Sequence, residues 1–234
     1  MSSKSEGMPF SVGTIGPVDL TGARRVLLRA SIARVLRDVA EGLAPLMKLR
    51  AKTGTEVTRP RVVSSMNGDV DLLILEEAGA AGYESCLVLP RPRDEQITHL
   101  GTALEERARR ALDAAASVQE PASLFGSMET GVGHTEMLGG QSDLRSRLLT
   151  AADLMICIWD GAPDTDPNSP GAVTVAAAEQ GIPVVWISSM PPHGARLHSL
   201  SEPHPESWNR ILPPDVLERL ERLAAPEAGD PSPK

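Results

Sequence analysis

The chain predicts an α/β protein built on a parallel, doubly wound sheet with helices on both faces, and three observations carry that expectation. Strand-like and helix-like stretches alternate from residue 10 to residue 188. The run Leu154-Met155-Ile156-Cys157-Ile158-Trp159 is apolar throughout and too short for a helix, as suits a parallel strand covered on both faces. Hydrophobic residues make up 41% of the chain while Phe, Trp and Tyr make up 3%, so the core must be aliphatic.

The elements follow in order. Phe10 to Gly16 reads as a short strand running into a glycine turn. In the helix after it, Leu28, Ile32, Val35, Val39, Leu43 and Leu46 recur at the spacing of a face laid on a sheet, with Pro45 close to the end. Lys48 to Arg61 sets Lys48, Arg50, Lys52, Arg59 and Arg61 against Glu56 alone and reads as a solvated loop. Arg61 to Ser65 is a second strand, and Asp69 to Ala81 a helix capped by Asn67 or Asp69 and ended by Gly82. Cys86 to Leu89 is a third strand, stopped by Pro90 and Pro92.

A helix from Gly101 to Ala116 turns Leu104, Ala108, Ala111 and Ala115 inward, and a short fourth strand is placed near Val118. Between Ser123 and Gly140 the five glycines at 126, 131, 133, 139 and 140 read as a loop. A helix from Gln141 to Ala152, with Leu144, Leu148 and Ala151 inward, leads into the strand Leu154 to Trp159, which Asp160 and Gly161 end. Gly171 to Gln180 is the last helix of the alternation and Gly181 to Ile187 its last strand. Six prolines and three histidines then fall between Ser188 and Pro214, followed by the amphipathic run Val216 to Leu223. The chain is therefore divided into a disordered start (1–8), an α/β domain (9–188), a proline-rich arm with a short helix (189–225) and a disordered tail (226–234). The arm is expected to dock on the domain, on a second copy or on an effector protein.

Charge and cysteine content narrow the function. Against 31 acidic residues stand 23 basic ones, a net charge of −8, so neither nucleic acid nor an anionic membrane is an expected partner. Two cysteines, Cys86 and Cys157, both inside apolar runs, exclude a disulfide scaffold. No apolar stretch approaches the roughly 20 residues of a spanning helix, and the polar N-terminus lacks a signal-like core. A soluble, cytoplasmic protein is expected.

In an open parallel sheet, ligands bind outside the carboxyl ends of the strands where the strand order reverses. That rule selects the loops Gly13 to Pro17, Ser64 to Asp69, Pro90 to Gln96 and Asp160 to Gly171. Helix N-termini there offer amides and a positive dipole end to a phosphate or carboxylate. The expected contacts are Gly13, Thr14, Gly16, Ser65, Asn67, Gly68, Asp69, Asp160, Gly161 and Gly171. The histidines at 99, 134, 193, 198 and 204 show neither an i, i+4 pair nor a Cys-x-x-Cys companion, so no metal and no cofactor are expected. Neither the full dinucleotide fingerprint nor a phosphate-binding P-loop is present, and no serine or cysteine has an evident base partner.

Two stretches go beyond this pattern. Val62-Val63-Ser64-Ser65-Met66-Asn67-Gly68-Asp69-Val70-Asp71, with Leu89-Pro90-Arg91-Pro92-Arg93-Asp94-Glu95 after the next strand, is one. Ala152 to Gly161 together with Gly181 to Ile187 is the other. They resemble segments of the bacterial SLOG superfamily, whose Rossmann-like fold is shared by DprA/Smf proteins, LOG-type phosphoribohydrolases and nucleoside 2-deoxyribosyltransferases. The resemblance covers residues 10 to 188 and implies that a nucleotide or nucleotide-derived signal binds at the strand tips, as in bacterial signalling or defence systems.

The chain departs from the family at two places. Pro17-Val18 stands where relatives carry a His-Arg pair, and Pro170-Gly171-Ala172-Val173-Thr174-Val175 stands where they carry Gly-Gly-Thr-Ala-Glu-Val. The catalytic acid of that segment thus has no counterpart, and Glu179 lies two turns further along. The resulting expectation is a nucleotide-binding module without catalysis. Its alternatives are an N-glycosidic bond hydrolase or transferase using Asp160 with Asp69 or Asp71, and a scaffold subunit held through residues 189–225.

Overall fold

In a computed structural model, residues 9–17, 22–52, 59–121, 144–162, 166–190 and 195–198 are described. The elements run β1 (Ser11–Ile15), α1 (Gly22–Lys52), β2 (Arg61–Ser64), α2 (Asp69–Ala80), β3 (Glu84–Val88), α3 (Arg93–Leu100), α4 (Thr102–Ala114) and β4 (Ser117–Gln119). After them come α5 (described over 144–151), β5 (Leu154–Trp159), α6 (Pro170–Glu179), β6 (Val184–Ser188) and β7 (Ala195–His198). One sheet holds all seven strands in the order β4-β3-β2-β1-β5-β6-β7. The first six pair in parallel, and β7 closes the edge antiparallel to β6, with Val184 opposite His198 and Ile187 opposite Ala195.

Side-chain alternation in β5 explains why its sequence is apolar at every position. Leu154, Ile156 and Ile158 join the core formed with Leu28, Ile32, Leu36 and Val39 of α1 and Val70, Leu73 and Ile74 of α2. Met155 and Cys157 face the opposite way, into a second core with Leu149 of α5 and Val173 and Ala177 of α6. Leu144 and Leu148 of α5 cover Val63 and Val88 on that second face. Helices therefore lie on both faces, as the right-handed crossover rule requires when strand order runs outward from β1 in both directions. The fold is the Rossmann-like, doubly wound α/β sheet that the alternation predicts.

Several local expectations are corrected. Helix α1 continues past Pro45 to Lys52, so the start of the basic run at Lys48 is helical rather than loop, and Leu46 has no described side chain. Helix α3 occupies Arg93 to Leu100, whereas the sequence predicts a loop as far as Gln96; Pro92 sits at its N-cap, where a missing N–H costs nothing. Gly68 is the N-cap of α2, not Asn67 or Asp69, and it offers no side-chain bond. In α5 Ala151 is exposed while Leu149 and Ala152 are buried, a modest rotation of the inward face. The sheet also extends beyond the boundary drawn at residue 188, through β7. The glycine-rich stretch from Ser123 to Gly140, both termini and the run Val216 to Leu223 lie outside the described residues.

Candidate functional site

Parallel strands put their carboxyl ends on one edge of the sheet, and the order reverses between β1 and β5. Gly16 follows β1 at that point and Asp160-Gly161 follows β5. Next along the edge come Ser65 to Gly68 after β2 and Leu89 to Pro92 after β3. The switch point anticipated from the alternation is thus real, and the structure decides which of the ten expected residues meet there.

Three of them, Gly16, Ser65 and Asn67, are tied together by Asp71, in the first turn of α2. Its Oδ2 accepts hydrogen bonds from Ser65 Oγ at 2.7 Å and from the Asn67 backbone N–H at 2.8 Å. Burial pushes its carboxyl up from 3.8 to about 6, against the opposing pull of the Asn67 N–H, the Ser65 hydroxyl and the Gly16 N–H. Oδ1 is buried with no hydrogen-bond partner among the described residues. Holding the charge there at neutral pH costs about 3 kcal/mol relative to water. The carboxyl nonetheless joins the tip of β1, the β2–α2 loop and the start of α2.

Gly16 itself lets these pieces approach. A Cβ on it would stand 2.9 Å from Val70 Cβ and closer still to Val70 Cγ1, so only glycine lets α2 come down on the end of β1. The following loop holds Met66 at φ 51, a left-handed backbone that costs a side chain roughly 1–2 kcal/mol. Its carbonyl accepts from Nε2 of the buried Gln96 at 2.8 Å, which fixes the turn from α3. Arg91, half-buried at the end of β3, donates through Nη1 to Gln96 Oε1 at 3.3 Å and to Asn67 Oδ1 at 3.5 Å. Gly16, Ser65, Asn67, Asp71, Arg91 and Gln96 therefore form one polar cluster across the tips of β1, β2 and β3.

Asp69 belongs to a neighbouring arrangement. Its carboxylate pairs with Arg107 of α4 and, at 3.4 Å, with Arg25 of α1, while Arg107 also pairs with Glu76. These ion pairs bind α1 and α4 to α2, and their hydrogen bonds together hold the Arg107 guanidinium above its ordinary pKa despite burial. Gly13 and Thr14 lie inside β1 rather than at its tip. A Cβ on Gly13 would collide with Met155 and with Ala152, and the buried Thr14 hydroxyl donates to the Val63 carbonyl at 3.4 Å.

Asp160, Gly161 and Gly171 gather instead around two indoles. Trp159 and Trp186 lie with ring centroids 6.0 Å apart; Trp159 Nε1 donates to the Ala162 carbonyl and Trp186 Nε1 to the Trp159 carbonyl. The exposed Asp160 accepts from the Ala162 N–H at 2.9 Å, closing a turn in which Gly161 takes φ 87, a conformation that favours glycine. A Cβ on Gly171 would come within 2.8 Å of the Trp159 ring, so that glycine accommodates the indole at the start of α6. Ser169 caps the same helix by accepting from the Ala172 N–H. Among the helix starts on this edge, α6 is self-capped, whereas α2 and α3 carry no side-chain cap.

The sequence selects the loop Pro90 to Gln96 that holds Arg91 and Gln96, but does not single out either residue as a contact. The signal for Arg91 is its place between two prolines directly after a strand; Gln96 carries only its place in that same loop. No three His, Cys, Asp or Glu side chains come together in a way suited to a metal, and no helix is long and apolar enough to cross a membrane, among the described residues. No protein-family model matches the chain, and no curated protein matches it.

Proposed function

We propose that the chain is a nucleotide-binding module of the SLOG kind, which takes a nucleotide or nucleotide-derived signal along the tips of β1, β2 and β3 and does not transform it. The observation that carries the reading is the strand reversal between β1 and β5, with Gly16 at the tip and the uncapped start of α2 beside it. Gly68 brings backbone amides there without a competing side chain, and Asn67 adds an amide group on the same loop.

The state of the carboxylates supports binding over catalysis. An N-glycosidase needs a carboxylate free to face the anomeric carbon. Asp69 is committed to Arg107 and Arg25, Asp160 closes an exposed turn, and Asp71 is buried beneath the loop it organises.

Mass spectrometry of small molecules released from the native protein, followed by its incubation with a mixed nucleotide pool, tests this. A bound nucleotide recovered intact is the expected result. Release of free base over time would overturn the non-catalytic reading, and failure of any nucleotide in the pool to bind would overturn the reading as a whole.

A further inference from the structure

We propose that Arg91 is the anion anchor of this edge, the residue that receives a phosphate group of the ligand. The inference rests on the nucleotide-binding reading and names the part of the site that takes the charge.

The argument begins with the run Pro90-Arg91-Pro92-Arg93, two cations in alternation with two prolines at the end of β3. The prolines restrict the backbone on both sides of Arg91, so its position at the strand tip is fixed before any ligand arrives. The two arginines then diverge. Arg93 pairs with Glu120 at 2.9 Å, and its backbone N–H donates to the same carboxylate. Arg91 meets two neutral amide oxygens, Gln96 Oε1 and Asn67 Oδ1, and no carboxylate among the described residues. Both contacts go through Nη1 and both are long for a guanidinium, which forms its strong bonds at about 2.7–2.9 Å to ionised acceptors.

What those two amides do is aim the side chain. They hold Nη1 on the protein, while Nε and Nη2 make no hydrogen bond among the described residues, and the group as a whole is half-buried rather than enclosed. Nε and Nη2 are the edge of a guanidinium that matches two oxygens of one phosphate. His99 adds no competing charge: desolvation and, after that, the Arg91 charge hold its imidazole below its ordinary pKa.

The spacing fits the proposed ligand. β3 stands two places from β1, about 10 Å across the sheet. A phosphate held by Arg91 therefore leaves the nucleoside to reach back over the Ser65 to Gly68 loop toward Gly16.

The test is calorimetric titration of the full chain with pyrophosphate, AMP, ADP and adenosine, using wild type, Arg91→Gln, Arg91→Lys and the control Arg93→Gln. Wild type is expected to prefer ADP and AMP to adenosine. Arg91→Gln should lower nucleotide affinity roughly 10- to 100-fold and leave adenosine unchanged, as loss of a charged hydrogen-bonding group predicts. Arg91→Lys should recover part of that loss, and Arg93→Gln should bind as wild type does. Equal nucleotide binding by wild type and Arg91→Gln would overturn the anchor while leaving the nucleotide reading intact. Arg91-dependent binding of pyrophosphate without any nucleotide binding would support the anchor and overturn the nucleotide reading. Binding of none of the four probes would overturn both.

Discussion

Replacing Asp71 by Asn preserves the shape of the side chain at the centre of the polar cluster and removes its charge. In the wild type the folded-state pKa, about 6, lies above the ordinary value of 3.8, because burial outweighs the hydrogen bonds from Asn67 and Ser65. The folded chain therefore takes up a proton before the unfolded chain does as pH falls. The ionised group weighs against folding above pH 6, and that weight is lifted progressively between pH 6 and pH 3.8. Between about pH 7.5 and about pH 5 the wild type should gain about 1.4 kcal/mol relative to Asp71→Asn, by proton linkage from those two values. Urea unfolding of both proteins over that range measures it, since every other titrating group cancels in the difference. Stability profiles that run parallel from pH 7.5 to pH 5, at about that spacing of conditions, would refute the claim that burial dominates the Asp71 environment.

Other consequences are simpler. Gly16→Ala places a methyl against Val70, a branched side chain on a packed helix, and should destabilise the fold by about 1–3 kcal/mol in denaturant unfolding. The same substitution at Gly79, where nothing lies within 4 Å of the new Cβ on helix α2, should instead stabilise by about 0.5–1 kcal/mol. Arg107→Met leaves Asp69 and Glu76 without their shared partner between α2 and α4, and should lower stability by about 2 kcal/mol, less at high salt for the exposed part of the network.

How much of this was legible depends on how strongly each segment is buried. β5 reads from the sequence with its observed bounds, because a strand covered on both faces must be apolar at every position. α3 was hidden because its first turn is charged, two prolines precede it, and only Gln96 and Ile97 of its residues are buried. Pro45 marks the approach of the end of α1 in the sequence, yet a helix packed along its earlier length on the sheet tolerates the loss of one N–H donor and runs on to Lys52. The order of strands is set by long-range pairing, such as Val12 with Val62 on one side and Leu154 on the other, and no local pattern encodes it.

The site shows the same division. The glycines are visible in the sequence, but not what each makes room for: Val70 at Gly16, Met155 and Ala152 at Gly13, the Trp159 ring at Gly171. Ser65, Asn67 and Gly68 are visible as a polar loop at a strand end, and the link of Ser65 and Asn67 through Asp71 is not, since it needs the turn that Met66 makes at φ 51. Arg91 reads as one charge among several in a basic and acidic run until its neighbours are known.

The central claim is that a nucleotide binds on the edge formed by the tips of β1, β2 and β3. Thermal unfolding of the wild type and of Asn67→Ala with a panel of nucleotides tests it most directly, because that substitution removes only the side-chain amide and keeps the backbone N–H that holds Asp71. At a hundredfold excess over its dissociation constant a bound nucleotide should stabilise the wild type by about 2.7 kcal/mol, and by clearly less in Asn67→Ala at the same concentration. Unfolding temperatures that no nucleotide raises, or that rise equally in the two proteins, would contradict the claim.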